Sequence, residues 1–207
     1  MKTYKSPFAP GESPFHVKGG VYLGTQKYFA SQAPGGLESL WAQISDPALL
    51  AFIQQKFLPS SWYDVLPVYE LIRAESRVFG LTVARYLQQR ARFQIAQDVG
   101  GVYRVLLKLT SSESVALKLP RILTQVLDFG THDAKQVEPG RVEAVLAGYP
   151  AMLWEWYENA FQVYAQRALE LAGARGASAA VRDPEPDGER NGVELIRFRI
   201  ECRWSRL

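Results

Sequence analysis

The stretch Val193-Glu-Leu-Ile-Arg-Phe-Arg-Ile-Glu-Cys-Arg-Trp204 decides the fold. Ile196, Phe198, Ile200, Cys202 and Trp204 fall on one side of it; Leu195, Arg197, Arg199, Glu201 and Arg203 fall on the other. Successive side chains of a strand point to opposite faces, so this is a β-strand with one dry face and one charged face. Coming after a largely helical stretch, it predicts an antiparallel sheet covered on one side only. The pattern carries no chemistry.

Working outward, residues 183–192 read as an acidic turn and 177–181 as a short strand. Residues 153–172 form the strongest predicted helix. Leu153, Trp156, Tyr157, Ala160, Tyr164, Ala168 and Leu171 hold one face; Glu155, Glu158, Asn159, Gln162, Gln166 and Glu170 hold the other. Pro139-Gly140 suits the two central positions of a type II turn and joins 131–138 to 141–149 as a hairpin. A helix between two hairpins that share one four-stranded antiparallel sheet gives the order β-β-α-β-β. The aromatic stripe of the helix then covers the dry face of the last strand.

Upstream the period is helical. Leu37, Leu40, Trp41 and Ile44 keep i, i+3, i+4, i+7 spacing. Asp46-Pro47 supplies an N-cap and a first-turn proline for a helix carrying Leu49, Leu50, Ile53 and Phe57. Residues 58–63 break it, and Asp64 is expected to cap a helix carried by Val68, Leu71, Ile72, Glu75 and Phe79. Helical stretches at 81–97, 99–109 and 112–126, the last with Pro120 inside, complete the series. Gly19-Gly20 leaves 15–23 open between helix and strand. The fold class is α+β, with a helical N-terminal two-thirds packed on the small sheet. The expected domains are a flexible N-terminal arm at 1–14 and a single α+β domain at 15–207.

Composition excludes several function classes. The chain has 207 residues, with 24 Lys and Arg against 21 Asp and Glu, a net charge of +3 without a basic run. That gives no nucleic-acid footprint. One cysteine allows no internal disulfide and fits a reducing compartment. No apolar stretch reaches membrane-spanning length, and Met1-Lys-Thr-Tyr-Lys5 lacks an apolar signal core. The expectation is a cytoplasmic protein without membrane insertion.

No catalytic constellation emerges, so the chain is expected not to be an enzyme. Cys202 sits in the dry alternation, where a thiol behaves as a small hydrophobe. His16 and His132 lack ligand spacing, although a lone histidine can serve as an axial haem ligand. Ser60-Ser61 and Ser111-Ser112 lack elbow glycines. Glycines 19, 20 and 24 do not make a phosphate loop. Arg197, Arg199 and Arg203 on the wet face either protect a sheet edge or meet an anion. The aromatics Trp154, Trp156, Tyr157, Phe161 and Tyr164 are too widely spread for one stripe, since Trp154 and Phe161 fall nearly opposite the main face. Some of them must meet a second surface.

Several stretches resemble an uncharacterised bacterial family with many paralogues in myxobacteria. They are Lys18-Gly-Gly-Val-Tyr-Leu23, Leu58-Pro-Ser-Ser-Trp-Tyr63, Gly101-Val-Tyr-Arg-Val-Leu-Leu107, Leu119-Pro-Arg-Ile-Leu123, Leu146-Ala-Gly-Tyr-Pro150 and Cys202-Arg-Trp204. The topology also resembles the superfamily of haem-nitric-oxide-binding domains, vinyl-reductase-type domains and transport-protein-particle subunits. That resemblance implies a dimer or a small-molecule pocket between helices and sheet. The Tyr-x-Ser-x-Arg signature of the haem branch is missing, so the resemblance supplies neither a cofactor nor a catalytic residue.

The expected function is therefore a sensor or carrier domain for an apolar or acyl-like molecule, with a ligand-free homodimeric scaffold as the alternative. The expected pocket is lined by Trp156, Tyr157 and Tyr164 with Tyr103, and Arg104 or a sheet arginine is expected to meet an acid group at its mouth. Surplus apolar helix faces in the first 130 residues, together with the resemblance, suggest a homodimer.

Overall fold

The computed structural model describes residues 6–98 and 111–205. Chain order runs β1 (His16–Lys18), α1 (Gly20–Gln32), α2 (Gly36–Trp41), α3 (Pro47–Gln54), β2 (Trp62–Asp64), α4 (Val68–Val78), α5 (Val83–Asp98) and α6 (Ser112–Val126). Then come β3 (Thr131–Glu138), β4 (Arg141–Pro150), a composite helix α7 over 151–171, β5 (Arg175–Arg190) and β6 (Val193–Ser205). The fold is α+β, with a two-stranded and a four-stranded antiparallel sheet; the latter has the order β3-β4-β6-β5.

β6 pairs on both sides, with β4 and with β5. Its dry face, Ile196, Phe198, Ile200 and Cys202, is buried. α7 lies across that face and meets α5 and α6 with its other side. Phe198 stacks on Tyr157 with centroids 5.7 Å apart and meets Trp154 and Tyr149 edge-on at 5.5 and 5.2 Å. Such contacts add about 0.5–1.5 kcal/mol each beyond the area they bury. Pro139 and Gly140 do turn β3 into β4. Gly140 takes φ +81°, and a Cβ there would meet the Trp204 carbonyl oxygen at 2.5 Å. No helix of the described residues is long and apolar enough to cross a membrane.

The structure corrects the sequence reading at several points. The N-terminal part is not wholly helical. Residues 16–18 pair with 62–64, partly within the stretch expected only to break a helix. The pairing is possible because Gly19 lacks a Cβ, which would collide with the Leu58 carbonyl; the Gly19 N–H donates to Ser61 O at 2.9 Å instead. Asp64 is not a helix cap either. It is buried at the end of β2, and its carboxylate accepts from the backbone of Gly11 (2.9 Å), Ser13 (3.3 Å) and Leu66 (2.9 Å), and from the Ser13 hydroxyl. Residues 11–13 of the expected arm are thereby tied to the core. Ser111 caps α6, accepting from Ser114 N–H. Asp46 caps α3 as its sequence implies, accepting from Ala48 and Leu49.

β5 is far longer than 177–181 and absorbs the run expected to be an acidic turn. Its register shifts three times, and Asp183 takes φ +58°. Pro184 and Pro186 fit because β5 is an edge strand, where a missing N–H costs no inner ladder bond. The turn itself shrinks to Asn191-Gly192, at φ +54° and +78°, the left-handed pair a tight hairpin needs. The acidic run also braces its own sheet at β4. Asp187 accepts the Gly148 N–H at 2.7 Å, where β4 breaks register between Leu146 and Tyr149.

α7 departs most from expectation. It comprises a 3₁₀ turn (Ala151–Leu153), a short α segment (Trp154–Trp156), a π turn (Tyr157–Phe161) and an α segment (Gln162–Leu171). A π turn inserts one residue into the helical ladder. Leu153, Tyr157 and Ala160 are buried as expected, but Phe161 joins them, and beyond the insertion the buried positions are Ala165 and Leu169, one residue later than the expected 164 and 168. Phe161 is thus carried into the core, although uniform α-geometry places it on the far side.

Candidate functional site

Between sheet and helices runs a line of contacting rings. Phe15 meets Phe129 at 5.6 Å, Phe129 meets Tyr149 at 5.6 Å, and Tyr149 meets Tyr157 at 5.2 Å. Tyr157 continues to Phe198, Phe161 and Trp156. The Tyr149 ring reaches this position because Gly130, at φ +81°, leaves the space a Cβ would occupy. Tyr157 is 0% exposed and its hydroxyl has no hydrogen-bond partner among the described residues. Burial pushes the Tyr149 and Tyr157 hydroxyls upward from the ordinary tyrosine pKa, so both stay protonated.

Among the residues read from sequence as pocket-lining, Trp156 and Tyr157 come together. Tyr164 is half-buried, beside the buried row rather than in it, because the π turn rotates it away. Tyr103 and Arg104 lie outside the described residues. A phenol kept where phenylalanine would pack equally well is unusual, since an unmet buried hydroxyl costs about 1–3 kcal/mol. Tyr157→Phe is therefore expected to raise the stability of the ligand-free protein by about 1 kcal/mol or more. Equilibrium urea unfolding measures this; a loss of stability instead would mean that the hydroxyl already has a protein or water partner.

A second polar group sits within the helical layer. Glu75 of α4 is 2% exposed, and Thr25 of α1 and Tyr86 of α5 face its carboxyl. The Tyr86 hydroxyl is near enough to couple to its charge, yet neither Glu75 Oε1 nor Tyr86 Oη completes a hydrogen bond of good geometry. Arg90 does not close an ion pair with Glu75. Its guanidinium donates to Gln94 Oε1 (3.2 Å), Thr25 Oγ1 (3.2 Å) and Val21 O (3.3 Å). Burial raises the Glu75 pKa to about 7, with Arg90 opposing the rise. The sequence carries one signal for this residue: a glutamate within the apolar spacing of α4. Its partners lie on α1 and α5, which no local pattern announces. A cavity nearby, lined by Tyr22, Thr25, Leu40, Trp41, Phe57 and Leu71, measures about 10 Å³, room for about one water.

The remaining candidates are structural. Burial pushes the Cys202 thiol up to about 12, so it is not a thiolate. On the wet face Arg197 pairs with Glu185 at 3.0 Å and Arg203 with Glu201 at 2.7 Å; β6 is paired on both sides, so these arginines guard no sheet edge and are met by acids of their own sheet. Arg203's hydrogen bond is the foremost cause holding the Glu201 carboxyl below its ordinary pKa. The described residues contain no metal-binding group of three or more His, Cys, Asp or Glu.

No family model matches the sequence, and no curated protein does. Solved structures do match. A structure solved to probe haem distortion in the H-NOX family aligns over 90% of this chain and 95% of its own, with a TM-score of 0.61 at 13% identity. The fold is that of the H-NOX domains. An oxygen-binding H-NOX domain related to soluble guanylate cyclases aligns over 92% and 96% (TM-score 0.60, 12% identity), and an Fe(II) unliganded H-NOX protein from K. algicida over 92% and 98% (TM-score 0.57, 12% identity).

Haem, named for those proteins, does not fit the described residues here. His16 lies on β1 opposite buried Val17, turned outward, with Nδ1 2.5 Å from Asp128. His132 shares a cross-strand row with Leu146 and Phe198, but on the edge strand β3 and only half-buried. Further in, the rings from Phe15 to Phe198 contact one another.

Proposed function

We propose that this chain is a non-enzymatic cytoplasmic sensor or carrier domain that takes a small apolar or acyl-like molecule beside Tyr157 in the H-NOX fold. The observation that carries the reading is the Tyr157 hydroxyl, wholly buried and unpartnered amid apolar rings, on a π turn. π turns interrupt the regular helical ladder and occur frequently at functional sites. A ligand with one polar atom meets the hydroxyl's demand, and its apolar body takes the place of ring contacts. Trp156, Tyr157 and Tyr164 line this site in the proposal, and Tyr103 and Arg104 complete it, the arginine meeting an acid group.

The second reading is a ligand-free homodimeric scaffold assembled through helical surfaces of the first 130 residues. The filled seam of rings favours it, as do Leu58 and Ile122, which are 54% and 50% exposed. Thermal unfolding with a series of fatty acids, and separately with hemin, divides the two. The sensor reading expects a raised midpoint with at least one acyl chain length, none with hemin, and a smaller shift in Tyr157→Phe. No shift at any length, with a dimer mass by light scattering, leaves the scaffold.

A further inference from the structure

We propose that Glu75 is a proton-operated latch joining α4 to α1 and α5: neutral, it leaves Arg90 on α1; ionised, it draws Arg90 away. The geometry carries this. The carboxyl is buried where three helices meet, and the groups facing it are Thr25 and Tyr28 from α1 and Tyr86 and Arg90 from α5. The cations of α4 itself are engaged elsewhere, Arg73 with Glu155 at 2.6 Å and Arg77 with the Gln43 carbonyl at 3.1 Å. Among the described residues, Arg90 is the cation whose charge acts on this carboxyl.

Arg90 is already committed. It donates to the Val21 carbonyl and the Thr25 hydroxyl, and it lies against Gly24, where a Cβ would meet its Nη2 at 2.9 Å. Glycine thus makes room for the guanidinium on the α1 surface. A neutral Glu75 makes no demand on that arrangement, and its O–H can donate to the unpartnered Tyr86 oxygen. A desolvated carboxylate must be paired, because leaving a buried charge alone costs several kcal/mol. Ionisation therefore sets Glu75 and α1 in competition for one guanidinium.

The sign of the pH dependence follows. The folded-state pKa, about 7, lies above the ordinary 4.5 that the unfolded chain adopts. Between those values the folded state holds more protons, so stability is fullest below 4.5, falls as pH rises, and levels above 7. From this group alone, the ratio of folded to unfolded protein is expected to drop on the order of 50-fold between pH 5 and pH 8.

The test compares the wild type with Glu75→Gln, which keeps the shape and stays neutral. Urea unfolding across pH 5–8 is expected to show this roughly 50-fold fall in the wild type over and above the variant. Infrared difference spectra are expected to show a buried carboxylic acid band at pH 5 that disappears through about pH 7 and is absent from the variant. Amide exchange in residues 21–25, corrected for intrinsic pH effects, is expected to accelerate over the same range in the wild type alone. Identical stability profiles, or no acid band in the wild type at pH 5, overturn the proposal. A titrating band without any change in α1 exchange overturns the latch. If the variant does not fold, the wild-type band and exchange data still decide.

Discussion

Phe198→Asp is expected to leave no folded protein. Phe198 is 1% exposed, with Tyr157 stacked on one face and Tyr149, Trp154 and Phe161 around it. The change removes a side chain whose burial contributes about 1.5–3 kcal/mol and several ring contacts of about 0.5–1.5 kcal/mol each. It also places a carboxylate among buried aromatic rings, at a further desolvation cost of several kcal/mol. Together these match or exceed the margin of about 5–15 kcal/mol that holds an ordinary domain folded. Circular dichroism and the urea transition measure it. A cooperative transition retained in Phe198→Asp would mean that α7 does not depend on the dry face of β6. Phe198→Leu is the control, expected to fold with reduced stability.

Asp64→Ala is expected to cost about 3–5 kcal/mol, on the basis of about 1–3 kcal/mol for each buried donor left unsatisfied. One carboxylate gathers three backbone N–H groups and the Ser13 hydroxyl. Its own carbonyl oxygen accepts the Tyr22 hydroxyl at 2.5 Å, so β2 is also held to α1. Without the side chain, residues 11–13 lose their hold, and cleavage there by a broad-specificity protease is expected to accelerate along with the fall in urea midpoint. Asp64→Asn, which keeps one acceptor oxygen, falls between. A loss under about 1 kcal/mol would contradict the clamp.

These two residues show what the sequence can reveal. Phe198 is legible because strict alternation places it on the dry face whatever its partners are. Asp46-Pro47 and Pro139-Gly140 are legible for a similar reason: the capping bond or turn is local. Asp64 misleads because its donors Gly11 and Ser13 stand some fifty positions away, and an aspartate before Pro67 reads locally as a cap. In β5 the register shifts erase the alternation that identifies β6, even though Asn191-Gly192 is itself a strong turn signal. The π turn has no local signature, so a uniform helical period assigns every later position to a face one residue early. Of the candidate site, Trp156 and Tyr157 stand out as aromatics in excess of one stripe. The unpartnered state of the Tyr157 hydroxyl depends on what surrounds it in space. Glu75 is visible as an anomaly in an apolar stripe, but its relation to Arg90 requires the packing of α1, α4 and α5.

We propose that this H-NOX fold holds a small molecule other than haem. Native mass spectrometry of freshly purified protein tests it most directly, because one spectrum reports bound mass and subunit number. The expected result is a species above the 23.3 kDa chain by the mass of a small acyl-like molecule, lost on gentle activation and weakened in Tyr157→Phe. Bare subunits in every preparation, with no adduct after incubation with fatty acids, or an adduct of haem mass, would contradict it.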